Sequence, residues 1–426
     1  MKKIEIHINE YGPLSGQTIT LAPFILFIGK SGLGKSYANY LTYYFFSSFT
    51  QGRLKGLVEN KLRESRPGQP FTITADELCQ WLNDGAEPFL RALLGNDQLT
   101  CRVHFTLPLE EKQLTVSYTQ EDLTAELPQE LEGQQIIIFH VTVNASSPIR
   151  SIAHTPDRTT DPTASSVTQA LSLYLQAQLF GETFARSVLL PPSRSVWACQ
   201  HATAPDSASS PVDLYHLSLR DAALSSICLS IGKSSRRIVT PLVEELIGGT
   251  LSNRKGRLSL KLSDGPEIPL TASASFIQEL SPLLFHLLNW SDVPHTLCLE
   301  NPETQLSPDR QVGIANLLSL LVNRASFLHL TTHSDYFLQR INQLIKTGYI
   351  RQEHPQTFRR LCKEHKLNSH FYLDARQIKA YYFHADEHRQ SHIEELEIGR
   401  NGIPFSPYFD TINRLRDDDN FLNTLL

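Results

Sequence analysis

Eight residues narrow the choice of fold more than any other stretch of this chain. Gly29-Lys30-Ser31-Gly32-Leu33-Gly34-Lys35-Ser36 fits the pattern G-x-x-x-x-G-K-[ST] at every specified position. Glycines at these places let backbone N–H groups curl around phosphate oxygens; Lys35 would neutralise the β- and γ-phosphates, and Ser36 would ligate Mg2+. Such a loop needs a strand before it and a helix after it, so that the helix N-terminus adds its dipole at the anion. FILFI at 24–28 is the continuous apolar run of a strand buried on both faces of a parallel sheet, and a helix is expected from Lys35 to about Phe46. A glycine-rich turn without a ligand is the bland alternative, and the flanking strand and helix argue against it. The expected class is α/β, a P-loop NTPase, with ATP and Mg2+ as ligands.

Two later segments fit the same chemistry. Leu297-Cys298-Leu299-Glu300 is an apolar strand ending in a carboxylate, which would place Glu300 to hold Mg2+ beside the phosphate loop. Asn301 follows; it can orient a water by hydrogen bonding but cannot take its proton. Glu303 can substitute only if it points inward. Thr331-Thr332-His333-Ser334-Asp335 closes the next apolar strand, FLHLTT at 327–332, and puts His333 within reach of a γ-phosphate. Singly these signals are weak, because an acid after an apolar strand is common and a lone histidine is more often structural. In this order after a phosphate loop they reinforce one another.

These segments carry a family resemblance. The chain resembles the SMC/RecF-like branch of ABC-type ATPases, in particular the compact prokaryotic group related to the overcoming-lysogenization-defect ATPases. The matching pieces are the phosphate loop with GPLSG at 12–16 before it, LCLENPETQLSPD at 297–309 and LTTHSDYFLQRINQLI at 330–345. LPPSRSVW at 190–197 is similar to the family's Pro-x-x-Arg-Ser segment, and SASFIQELSPLLFHL at 273–287 to its signature region. The resemblance implies an ABC-type head built from both ends of the chain, 1–50 and 240–426, with 51–239 an inserted helical and loop region. It implies a homodimer or higher homo-oligomer that sandwiches two ATP molecules. Ser275 would then touch the partner's γ-phosphate, and His333 would be the switch histidine. The implied role is ATP-dependent switching on DNA or on a separate effector protein, as in prokaryotic anti-phage systems.

Two departures from the family pattern modify that expectation. Phe276 stands where the signature has a glycine, and Asn301 where an acid is usual. Asn301 predicts slow hydrolysis, and Phe276 a less close approach to the partner's nucleotide; both departures bear on function. They also leave a rival, a scaffold that keeps ATP as a structural ligand and recruits a nuclease or toxin partner. A small-molecule kinase explains neither the THSD segment nor the region around Ser275. Arg194 is open between support of the nucleotide site, packing and a salt bridge.

The remaining sequence sets bounds. With 426 residues, 41% hydrophobic and 19% charged, the chain can bury a substantial core. No apolar run of about 18 residues occurs, so no membrane partner is expected. The N-terminus has no secretory apolar region, and the six cysteines form no CxxC, which together suit a cytoplasmic protein. The net charge of −5 does not advertise nucleic-acid binding. Two basic clusters could still meet a phosphate backbone, Arg53, Lys55, Lys61, Arg63 and Arg66, and Arg254, Lys255 and Arg257; a solvated face is the default for both. His384, His388 and His392 would share a metal only on a helix, and 380–387 reads as a strand and a turn. Asp417-Asp418-Asp419 reads as a solvated tail, not a nuclease centre. Further strands are expected at 4–8, 101–106, 114–118 and 136–143, and further helices at 53–65, 75–94, 167–187, 281–290, 309–323 and 335–347. A hairpin is expected at 248–270, loops at 144–166 and 201–211, and short strands and turns over 370–412. Sustained heptads are missing, so no long coiled coil is expected.

Overall fold

The computed structural model describes the chain except residues 67, 123–134, 145, 156–161, 196–232, 255–256, 289–293, 366, 405 and 425–426. Its first half contains Glu5–Tyr11 (β1), Leu14–Thr20 (β2), Phe24–Gly29 (β3), Lys35–Thr50 (α1), Lys55–Glu64 (α2), Phe71–Thr74 (β4), Ala75–Leu94 (α3), Cys101–Thr106 (β5), Gln113–Asp122 (β6), Gln135–Val143 (β7), Ile149–Thr155 (β8), Thr163–Phe180 (α4) and Ser187–Leu190 (β9). The second contains Lys233–Ile247 (α5), Gly249–Arg254 (β10), Arg257–Leu262 (β11), Glu267–Pro269 (β12), Ser275–Leu288 (α6), Thr296–Glu300 (β13), Pro308–Val322 (α7), Phe327–Thr332 (β14), Asp335–Glu353 (α8), Pro355–Glu364 (α9), Ile378–Ala385 (β15), Ser391–Leu396 (β16) and Ser406–Asn423 (α10).

Nine strands form one sheet in the order β5-β1-β2-β16-β15-β3-β14-β13-β9. From β15 to β9 the neighbours are parallel, and β5, β1 and β2 pair antiparallel. The fold is α/β, with the phosphate-loop strand inside the parallel half. β3 shows why its run is unbroken: every residue is buried, but on alternate faces. Ile25 and Phe27 join one core with Phe45, Phe46 and Phe49 of α1, while Phe24, Leu26 and Ile28 join a second core with residues of α6, α7 and α8.

Helix α1 runs to Thr50 rather than stopping near Phe46. The Ser47 and Ser48 hydroxyls donate to the Tyr44 carbonyl, and that of Thr50 to the Phe46 carbonyl, so these polar residues are satisfied within the helix. The helix packs on β13, β14, β9, α3 and α4 and is buried on nearly every side.

Several expectations change. LSGQTIT is a strand, β2, held by β1. The expected loop at 144–166 contains β8, whose Ile149 to Thr155 pair with β7. The expected helix at 167–187 starts earlier and ends at Phe180, where Gly181 adopts φ 74° as its C-cap, and Ser187 onward is β9. A third strand, β12, extends the 248–270 hairpin. The expected helix at 281–290 begins at Ser275. Asp417, Asp418 and Asp419 are exposed, as expected of a solvated tail, and that tail is helical, α10. The segment 51–239 supplies both edge strands of the large sheet, β5 and β9. Its β4, β6, β7 and β8 form a separate four-stranded sheet, with β7 and β8 against α4. The 201–211 loop lies outside the described residues. Among the described residues no helix is long and apolar enough to cross a membrane.

Candidate nucleotide site

Strand register brings the motifs together. Ile28 of β3 stands opposite Thr332 of β14, and Thr331 opposite Glu300 of β13. Gly29, Glu300 and His333 therefore emerge at one level, at the carboxyl ends of parallel strands, where ligands of open α/β sheets bind.

The loop has the backbone its glycines permit. Gly29 has φ 121°, and a Cβ there would fall 2.2 Å from the Phe383 carbonyl oxygen. Gly34 has φ 92°, and its Cβ would fall 2.7 Å from Cδ2 of Leu14. The second contact gives the GPLSG segment a physical role, since Pro13 and Leu14 pack against the loop. A cavity of about 200 Å3 is lined by Ser31, Gly32, Gly34, Lys35 and Ser36 on the loop side, with Asn301, Thr331 and His333 across it. Lys30 and Leu33 do not line it. The Lys30 carbonyl accepts from Lys35 at 2.6 Å, and the Leu33 carbonyl accepts from Ser391 at 2.6 Å.

Nζ of Lys35 also donates to the Gly29 carbonyl at 3.0 Å. Lys35 is buried, and burial lowers its pKa to about 8 against the opposing pull of Glu300 and Glu303. The Ser36 hydroxyl donates to Oε2 of Glu300 at 2.8 Å. Burial raises the Glu300 pKa, opposed chiefly by hydrogen bonding from Ser36 and Tyr40. Oε1 of Glu300 is shielded and has no hydrogen-bond partner. A hydroxyl and a buried carboxylate with a spare oxygen, beside a phosphate loop, are a donor set suited to Mg2+.

Asn301 bends the chain after β13 with φ 43°, a conformation asparagine tolerates better than most residues. Its Oδ1 accepts from the Thr331 hydroxyl at 3.1 Å, and its N–H donates to the Thr331 carbonyl at 3.1 Å. Glu303 lies behind His333. Its Oε1 accepts the His333 backbone N–H at 2.7 Å, and its shielded Oε2 has no partner. Burial raises the Glu303 pKa. The His333 pKa is lowered by burial and by Lys35, against a hydrogen bond to the Gly29 backbone, and the lowering favours the neutral imidazole. Glu303 thus holds the His333 backbone.

Ser275 is the first residue of α6 and is exposed away from this cavity. Phe276 lies under the Arg310 guanidinium, 4.0 Å from its ring centre, so its ring is used in packing. Arg194 is fully buried, and its Nη1 donates to the Glu300 carbonyl at 2.5 Å. It therefore braces the backbone at the end of β13 and is also in a salt bridge, with Glu279 at 3.3 Å. Sequence reasoning missed Tyr40, although its i+4 spacing from Ser36 on α1 places it on the same helix face. It also missed Glu279, whose contact with Arg194 spans 85 positions and leaves no local signal.

The other candidates are less assembled. Lys61 pairs with Glu77 at 2.5 Å, Lys55 lies 3.8 Å from Glu59, and Arg53 covers the Phe89 ring. Lys255 and the side chains of Arg254 and Arg257 lie outside the described part of the chain. His384 and His392 are cross-strand neighbours in β15 and β16, His392 is 3.1 Å from Asp386, and His388 sits in the intervening turn.

No protein-family model matches the chain, and no curated protein matches it. Among solved structures it is similar to an SMC head bound to the C-winged helix domain of ScpA, at 11% identity over 93% of this chain and 98% of that one, with a TM-score of 0.36. It is similar to the SMC head domain from Thermotoga maritima at 9% identity over 93% and 100% of the chains, with a TM-score of 0.34. An Smc head domain with an extended coiled coil, bound to the C-terminal domain of ScpA and derived from Pyrococcus furiosus, aligns at 10% identity over 97% and 98%, with a TM-score of 0.35. With TM-scores below 0.5, these likenesses carry no weight for the site.

Proposed function

We propose that this chain is an ABC-type, SMC/RecF-like ATPase head that binds Mg2+-ATP at Gly29–Ser36 and hydrolyses it slowly. One observation carries the reading: Ser36 and Glu300, far apart in sequence, meet across a phosphate loop in which Gly29 and Gly34 cannot be replaced without a clash. The loop N–H groups and Lys35 hold the phosphates, and Ser36 and Glu300 face the metal side. Bound Mg2+ would offset phosphate charge as bond cleavage proceeds. Asn301 orients a water, and His333, fixed through its backbone N–H by Glu303, is a polar group on the same wall, across from the loop. The slow rate follows from Asn301, which stands on that wall and cannot take a proton from the water.

The reading extends to ATP-dependent dimerisation with Ser275 facing the partner's nucleotide, and to a cytoplasmic switch acting on DNA or a separate effector protein in anti-phage defence. These parts rest on the resemblance of the motifs. The same asparagine favours a second reading, a scaffold locked by retained ATP that recruits a nuclease or toxin.

Phosphate release by the purified protein, with and without DNA, beside Lys35→Ala and together with nucleotide content, separates the two. Turnover abolished by Lys35→Ala identifies an ATPase. Co-purified ATP with no release above the variant identifies the scaffold. Neither turnover nor bound nucleotide overturns both.

A further inference from the structure

Arg194 holds several separate pieces of the chain at once. It follows β9 in the turn Pro191-Pro192-Ser193-Arg194-Ser195, where Ser193 has φ 62°, and its side chain is fully buried. Nη1 donates to the carbonyls of Pro191 at 3.2 Å and Glu300 at 2.5 Å. Nη2 donates to the Asn301 carbonyl at 3.2 Å, and Nε to the Glu279 carbonyl at 3.2 Å. The Glu279 carboxylate completes the arrangement from the other side. Its Oε1 accepts the Arg194 N–H at 3.0 Å, and its Oε2 the Ser195 N–H at 2.9 Å. The carboxylate of α6 thus grips the turn, and the guanidinium carried by that turn grips the end of β13.

We propose that Arg194 and Glu279 are positioning residues that link the start of α6, where Ser275 stands, to the Glu300–Asn301 turn at the nucleotide cavity. The inference rests on the function proposed above and adds the route between its two halves. Glu279 lies four residues after Ser275, so the two share a face of one helix and are separated by about one turn. Behind them Leu280, Leu283, Leu284 and Leu287 are buried, so α6 moves as a unit or not at all. A guanidinium is planar with donors in a fixed fork, so displacing one acceptor redirects the bonds to the others. A displacement of α6 pulls the carboxylate, then the 194–195 backbone, then the carbonyls that orient Glu300 and Asn301. The same chain of bonds runs in reverse when nucleotide shifts the Glu300–Asn301 turn, as reciprocity requires. A pair needed only for stability has no requirement to bridge the signature helix and the metal-side turn, since a buried ion pair adds little over an apolar replacement.

Hydrogen exchange of the full chain with and without Mg2+-ATP tests the link, followed on peptides covering 275–280 and 300–304. In the wild type, nucleotide slows exchange in both. Glu279→Gln keeps one acceptor for the backbone but loses the charge opposite Arg194 and one of the two N–H bonds. We expect it to bind ATP, to keep the response at 300–304, and to lose at least about twofold of the response at 275–280, the low end for a coupling of this kind. Arg194→Lys, which keeps the charge and loses the fork, is expected to do the same and serves if Glu279→Gln does not fold. A purely structural role predicts a lower melting temperature with both responses preserved or both diminished together. An unchanged 275–280 response in either variant, or its absence in a wild type that binds ATP, overturns the link. A wild type that binds no ATP, measured directly beside Lys35→Ala, overturns the functional reading and the link with it.

Discussion

The Ser36 hydroxyl donates to Oε2 of Glu300 across 2.8 Å, joining residues 264 positions apart. The bond ties the first turn of α1 to the end of β13, and it fixes what each partner can offer a cation. Glu300→Gln keeps an acceptor for Ser36 but removes the charge. Its expected effect is a loss of turnover of about 10²-fold or more, the scale of a lost contribution to metal-assisted charge stabilisation. Binding of ATP without Mg2+ should change little. Phosphate release and equilibrium nucleotide binding, each with Mg2+ and with chelator, check this; equal weakening of both binding modes would place Glu300 outside the metal side.

Lys35 sets a pH dependence. Burial lowers its pKa to about 8, whereas contact with phosphate oxygens favours the ammonium form. Below pH 8 the lysine is already charged, and binding needs no proton from solvent at this site. As pH rises above 8, free protein loses the charge first, so binding must take up a proton. Affinity should fall by up to about tenfold per pH unit until the bound-state pKa is reached. Calorimetry at pH 9 in buffers of different ionisation enthalpy should show uptake approaching one proton, which disappears in Lys35→Ala together with binding. Affinity that is flat from pH 7 to 9.5 would contradict the assignment.

Asn301 is the residue on which the rate is expected to turn. Asn301→Asp keeps the shape, the φ 43° bend and an oxygen for the Thr331 hydroxyl, and adds a group that can take a proton. Turnover should rise by at least about tenfold, a modest part of what a positioned base contributes. Glu303→Gln still offers an acceptor to the His333 N–H, so its effect should stay within about threefold. Single-turnover phosphate release decides both. A large loss in Glu303→Gln with no gain in Asn301→Asp would make Glu303 the base and leave Asn301 with no part in slowing hydrolysis.

The parts of this site that were legible in the sequence are those whose chemistry is local. Gly29 to Ser36 are contiguous, and their φ values are demanded by the loop itself. Glu300 and His333 stand at the ends of apolar runs, and parallel register does the rest. Asn301 was visible as a departure, but its positive φ and its bond to Thr331 were not, because they depend on β14 alongside. Glu303 was readable only as inward or outward; it points inward yet stops at the His333 backbone. The Arg194–Glu279 contact was beyond reach, since nothing near either residue names the other. In the fold, β8 hid in a stretch rich in serine, threonine and proline because its strand character comes from pairing with β7. That β5 and β9 close the two edges of the large sheet was not readable, because sequence order says nothing about which sheet edge a strand will join.

Asn39 offers a test of the loop helix itself. It lies on α1, three residues after Ser36, with no exposed surface, and neither Oδ1 nor Nδ2 has a hydrogen-bond partner. Burying an amide without partners costs about 1–3 kcal/mol, and leucine has the same branched skeleton, in a larger side chain, without that cost. Asn39→Leu should therefore stabilise the free protein by about 1 kcal/mol or more, read as a higher urea midpoint with an unchanged slope. The stabilisation added by saturating Mg2+-ATP should be the same in variant and wild type, because Asn39 does not line the cavity. A lower midpoint would mean that the amide is satisfied in solution. A higher midpoint with a smaller ATP increment would mean that the amide gains its partner when nucleotide binds, making α1 an element that changes between the two states.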